Sequence, residues 1–254
     1  MKNVSFLGCY FNNITFIMKT IGIIWWMSYE SSIHYYERVN KQVNELVGGL
    51  TCAKMIIYNV NFEGIRKLMI NNERNEIWKE LVRIAKILEN AGADYIAIAT
   101  NTMHKLADYV QHEINIPLIH IADCVAYKCN QKNVLKVWLL WTKYTMIEDF
   151  LTNKLEKNWL TVATPTEKKI IDEIDKIIFD ELCKGMVKNI SKEFFVDVIN
   201  NMVKEKSIEW IILWCTEIEM LIKQQDLNIP IFDTTQSHID IIVDYSLGKN
   251  PIYL

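Results

Sequence analysis

Ala93–His104, ADYIAIATNTMH, and Ile208–Glu219, IEWIILWCTEIE, are two versions of one pattern: an apolar run of strand length, then a polar turn that opens a helix. A second pair of stretches, Ile21–Ser28 (IGIIWWMS) and Val137–Thr145 (VWLLWTKYT), precedes them in each half. Apolar runs without polar alternation read as strands buried on both faces, and strands alternating with helical patterns read as a parallel sheet covered by helices. Strands are expected at 20–24, 53–59, 94–99, 117–121, 134–140, 160–163, 208–213 and 229–232, with helices between most of them. The repeat then predicts an α/β chain of two similar Rossmann-like lobes, with mainly parallel sheets related by a pseudo-twofold axis. Each lobe offers two strand-end loops to a shared cleft, where ligands of open α/β sheets bind. The expected lobes are 18–117 with 229–254, and 118–228.

Composition narrows the partner. With 254 residues, half of them apolar and 23% charged, the chain can bury a sizeable core. A net charge of -3 with scattered Lys and Arg gives no footprint for nucleic acid or an anionic membrane. A small molecule is the expected partner. The six cysteines form no C-x-x-C pair and no metal-ligand spacing with histidine, which points to a reduced, cytoplasmic setting without a metal site. No glycine-rich phosphate loop is present. The first stretch, MKNVSFLGCYFNNITFI (1–17), is broken by Asn12 and Asn13 and is too short to span a bilayer. It is expected to be an over-extended N-terminus, with Met18 as the working start, or a disordered tail.

The strand-end loops carry the candidate chemistry. Thr100, Asn101 and Thr102 follow one strand, and Cys215, Thr216 and Glu217 follow its counterpart. Their N–H groups and hydroxyls can hold a carboxylate, although the same residues also serve as helix caps. Two symmetric loops favour a ligand over capping alone. A thiol at a helix N-terminus is expected to have a lowered pKa, so that Cys215 could exchange a proton near neutrality; the alternative is an inert buried cysteine.

At these residues the chain resembles the aspartate/glutamate racemase family, whose members racemise amino acids without a cofactor. Thr100-Asn101-Thr102-Met103-His104 stands for the family's C-N-T-x-H, and Trp214-Cys215-Thr216-Glu217 for its G-C-T-E. Trp25-Trp26-Met27-Ser28 stands for G-G-M-S, and Trp141-Thr142 for a strand-end G-T. The resemblance runs from Met18 to about Gly248. It implies a small amino-acid substrate, no cofactor, no metal and a homodimer. It also implies that Cys215 and Thr100 serve as acid/base groups on opposite faces of the substrate. Met27, Ser28, Asn101, Thr102, Thr142, Thr216 and Glu217 would line the substrate site, and Arg66 and Lys184 would hold its carboxylates. His104 and Glu217 would help move the proton or simply cap their helices.

One departure matters: Thr100 stands where the family has its first cysteine. An alcohol is a far weaker acid than a thiol, so Thr100 must act through a neighbour, through a water, or not at all. The likeness is to a Thr/Cys subgroup of amino-acid racemases. Two alternatives stay open, a single-cysteine decarboxylase acting on a malonate-like acid and a non-catalytic amino-acid-binding protein.

Glycine and tryptophan are each present eight times, whereas a typical usage of about 7% predicts roughly 18 glycines. Trp25, Trp26, Trp141 and Trp214 occupy family glycine positions, and Trp138, Trp159 and Trp210 fall where a strand-adjacent or turn glycine is expected. Overpacking at so many tight points is costly. The expectation is that a codon read here as tryptophan, UGA being the candidate, is decoded as glycine in the source. Trp78, within NEIWKELVRIAKIL, is undecided.

Overall fold

A computed structural model describes residues 18–26, 29–140, 150–206, 208–215 and 217–249. Eight strands fall in all eight expected places. Four of them, β1 (Ile21–Trp25), β2 (Met55–Asn59), β3 (Tyr95–Ile98) and β4 (Leu118–Ile119), form a parallel sheet in the order β2-β1-β3-β4. The other four, β5 (Lys136–Leu140), β6 (Thr161–Ala163), β7 (Trp210–Leu213) and β8 (Ile231–Asp233), repeat the order as β6-β5-β7-β8. The central strands are buried almost throughout, which is why they read as continuous apolar runs.

Strand pairing fixes which residues of the two lobes correspond. Ile24 pairs with Ile98 in the first sheet, and Leu140 with Leu213 in the second. The next backbone bond repeats too: Ala99 N–H donates to the Ile24 carbonyl and Trp214 N–H to the Leu140 carbonyl, both at 2.9 Å. Gly22 therefore corresponds to Trp138, Tyr95 to Trp210, Ala99 to Trp214, and Thr100 to Cys215.

Helices α1 (Tyr29–Val47), α2 (Phe62–Ile70), α3 (Arg74–Asn90) and α4 (Ala107–Glu113) belong to the first half. Of these, α3 buries Ile77, Leu81, Ile84, Ala85 and Leu88, the stripe expected of an amphipathic helix. Helix α5 (Ile121–Gln131) leads into the second half, which contains α6 (Phe150–Glu156), α7 (Lys168–Asp180), α8 (Asn189–Lys206) and the one-turn α9 (Ile218–Leu221). The chain ends in α10 (Thr234–Ser246).

Segment 229–254, assigned to the first lobe from the sequence, is divided by the pairing: β8 joins the second sheet, whereas α10 packs on α1 and α5. Tyr35 on α1 donates its hydroxyl to His238 Nδ1 at 2.9 Å, and the Tyr95 hydroxyl donates to the Ile242 carbonyl at 2.6 Å. Residues 118–119 likewise pair in the first sheet. Helix α10 thus couples the two sheets mechanically.

Candidate active site

In the order β2-β1-β3-β4 the chain leaves β1 toward one side and β3 toward the other, so a crevice opens beyond their carboxyl ends. The equivalent crevice lies beyond β5 and β7. The four loops singled out from sequence are those four strand ends. Met27, Ser28, Thr142 and Thr216 lie outside the described residues, as does Trp141.

Asn101 joins the two crevices. Its side-chain amide donates to the Trp214 carbonyl oxygen and to Thr234 Oγ1, the latter at 3.2 Å. Thr234 in turn donates to the Leu213 carbonyl at 3.1 Å. The loop carrying Thr100 is therefore clasped to the residue preceding Cys215, and two symmetry-equivalent residues are held on neighbouring loops. The Asn101 Oδ1 atom is buried with no hydrogen-bond partner among the described residues. A buried acceptor without a donor is costly, and a cationic N–H group of a ligand would satisfy it.

The lowered thiol pKa expected for Cys215 is corrected by the structure. Burial pushes this thiol well above its ordinary value, and the Glu217 carboxylate adds to the rise. The helix that follows, α9, spans only Ile218–Leu221, so it supplies little macrodipole to oppose them. Cys215 is a protonated thiol, and its Sγ–H donates to Glu217 Oε2 at 3.2 Å. Glu217 is fully buried and becomes the natural acceptor for that proton.

His104 is a strut. Its Nδ1–H donates to the Thr100 carbonyl at 2.8 Å, and its own carbonyl accepts from His120 Nε2 at 3.2 Å. His120 Nδ1 accepts from the Ala122 N–H at 3.0 Å, which fixes its tautomer, and His238 Nε2–H donates to the Ile119 carbonyl at 3.1 Å. The His104 ring lies 4.8 Å from that of His120 and 5.6 Å from that of His238. Burial, with the neighbouring His238, pushes His104 down to about 3, and burial takes His238 down to about 4. All three are neutral near pH 7, so His104 supports the Thr100 loop without serving as a ready proton carrier.

Arg66 and Lys184 lie at the surface. Arg66 on α2 is exposed, with Nε 3.2 Å from Glu63, and Lys184 Nζ is 3.5 Å from Asp180. Their partners belong to their own helical segments and not to the four loops. The Leu182–Lys184 turn nevertheless borders the site: Cys183 packs against the core cluster that contains Cys215, burial raises its thiol pKa, and the Glu217 carboxylate adds to the rise.

A cation that the sequence reading missed lies nearer the joint. Arg38 on α1 reaches Asp233 at 2.6 Å and Glu219 at 3.6 Å, tying the first lobe to the end of β8. Burial raises the Glu219 carboxyl well above its usual range, and Asp233 reinforces the rise. The available signal was the polar run Asp233-Thr234-Thr235 directly after the strand expected at 229–232, a fifth strand end with an N-cap residue. Asp233 is that cap, accepting from the Gln236 N–H at 2.7 Å.

No group of metal-binding side chains occurs among the described residues, and none of their helices is long and apolar enough to cross a membrane.

Comparison with known proteins agrees with this geometry. The family model for Asp/Glu/hydantoin racemase matches residues 21–242. A candidate Asp/Glu racemase from Yersinia pestis is 38% identical, with a TM-score of 0.83 over 91% of this chain and 100% of that one. An aspartate racemase homologue from Pyrococcus horikoshii is 37% identical, with a TM-score of 0.77 over 90% and 99% of the two chains. The aspartate racemase of Picrophilus torridus shares the fold at 22% identity, with a TM-score of 0.70 over 91% and 95%.

Proposed function

The chain belongs to the Asp/Glu/hydantoin racemase family, and from that premise we propose that it interconverts the L and D forms of a small acidic amino acid, aspartate or glutamate, without a cofactor. The observation that carries the reading is the Asn101 clasp, which holds the Thr100 loop against the Cys215 loop at symmetry-equivalent positions.

Racemisation breaks the α-carbon–hydrogen bond on one face and returns a proton to the other, through a carbanion that is poor unless its charge is neutralised. The N–H groups of residues 100–102 and 215–217 bind the substrate carboxylate at the two strand ends. Asn101 Oδ1 accepts from the α-ammonium group. Cys215 passes its proton to Glu217, takes the α-proton as thiolate, and returns it as thiol in the reverse direction. Thr100 works on the other face through a water, which makes the two directions unequal. Arg66 and Lys184 remain candidates for the distal carboxylate, with movement of their segments required to bring them in. The expected cytoplasmic homodimer is part of the same proposal.

A second reading rests on the single thiol of the pair. Decarboxylation of a malonate-like acid needs one proton donor only, and Cys215 as a protonated thiol is such a donor.

Incubating L- and D-aspartate and L- and D-glutamate with the protein in deuterated water tests both. α-Deuteration that is lost in Cys215→Ser and retained or raised in Thr100→Cys is the expected result. Undiminished exchange in Cys215→Ser refutes the assignment, and carbon dioxide release from an arylated or alkylated malonate without exchange selects the second reading.

A further inference from the structure

Six helix ends among the described residues close with the same pair of backbone bonds, in which one N–H reaches back three residues and the next reaches back five. The residue whose N–H reaches back three is Asn72, Gly92, Asn133, Trp159, Gly185 or Gly248, and each has a positive φ. This end motif requires the left-handed region, which glycine enters freely, asparagine with some ease, and a bulky side chain only under strain. Trp159 has φ +70° and is 86% exposed, so no packing of its indole offsets the strain.

A second, independent position shows the same mismatch. Strand pairing makes residue 138 the counterpart of Gly22. At Gly22 a Cβ atom would stand 2.8 Å from Ile96 Cδ1 and 2.9 Å from Ala93 Cβ, so the first lobe has no room for any side chain there. The second lobe has the largest side chain at the equivalent point. Trp138 is fully buried, and its indole Nε1–H has no hydrogen-bond partner among the described residues. Buried tryptophan N–H groups ordinarily find an acceptor. The Nε1 atoms of Trp25 and Trp26, beside the cleft, are likewise buried without one among the described residues.

We infer that the codon translated as tryptophan at positions 138 and 159 is decoded as glycine in the cells that make this protein, and that the same holds wherever that codon recurs in the gene. The effect is local and structural at 159 and 138. At 25 and 26 it would empty indole volume from the first strand-end loop, where backbone must approach the ligand. Trp210 behaves differently. It corresponds to Tyr95, packs at a tilt of 48° against Phe232 with ring centroids 4.9 Å apart and has Lys132 Nζ 4.8 Å from its ring centroid, so the structure accommodates an aromatic there.

The deciding experiment is mass spectrometry of the protein isolated from its own cells, reading the peptides that span 138 and 159. Glycine at both is expected, and tryptophan at either overturns the inference. A second arm needs no native source: in the recombinant chain as written, Trp159→Gly should raise Tm by about 2–4 °C, because relieving one strained cap in a domain of this size shifts the melt by that order. An unchanged or lower Tm removes the strain on which the inference stands. Neither readout depends on racemase activity, so failure here is separable from failure of the proposed function.

Discussion

Taking the protein from pH 7 to pH 5 should destabilise it through the imidazoles behind the Thr100 loop. His104 falls to about 3 and His238 to about 4 in the folded state, against an ordinary value of 6.5. A depressed folded pKa contributes stability that is present above the unfolded value and is lost as pH falls toward the folded one. At pH 5 the unfolded chain has protonated both rings and the folded chain neither, so each costs about 1.8 kcal/mol between the two pH values, and the pair about 4 kcal/mol. His120, also lowered by burial, acts in the same direction. Glu219 opposes them: its raised folded pKa contributes stability that is present at low pH and lost as pH rises. The measurement should therefore be made in Glu219→Gln, where that opposing titration is absent, by urea unfolding at the two pH values. A loss of about 4 kcal/mol or more is expected, a large fraction of a typical domain's stability. A loss below about 1 kcal/mol would refute the reasoning, because it would require rings that are hydrated or already charged in the fold.

Three further outcomes follow from the site. Asn101→Ala should lower stability by about 1–3 kcal/mol, since it leaves buried carbonyl and hydroxyl partners with fewer bonds, and should lower kcat/KM by more than that loss explains; melts and exchange rates on the same preparation separate the two. Arg38→Ala should cost about 1–3 kcal/mol, a value discounted because Arg38 and Asp233 are each about a third exposed. Here Arg38→Lys should recover part of the loss in a thermal melt, and a melt unchanged in Arg38→Ala would show that the ion pair is not holding the joint. Glu217→Gln keeps the shape beside Cys215 but removes the carboxylate whose charge adds to the rise of the thiol's pKa, so the rising limb of the exchange-rate pH profile should move to lower pH, while loss of the proton acceptor lowers the maximal rate. A profile that does not move would mean that Glu217 does not set the ionisation of Cys215.

The sequence alone determined the element order, the parallel pairing and the repeat, because strands buried on both faces and helices with one apolar stripe leave their period in the chain. It also located the strand-end loops at Thr100 and Cys215, since two matching polar turns directly after such strands are more than helix capping alone requires. Three things depended on the tertiary structure. The pKa of Cys215 is set by how deeply the thiol is buried and by Glu217 beside it, and its place before a helix gave the opposite sign. Arg38, Asp233 and Glu219 are scattered along the chain and acquire a joint role only when α1 packs against α10; the polar run after β8 marks Asp233 as a cap but leaves its pairing with Arg38 unmarked. The tryptophans were already anomalous by count, but only a backbone dihedral at 159 and a strand register at 138 turn the anomaly into a steric statement, because φ and register arise from the folded chain and not from residue type.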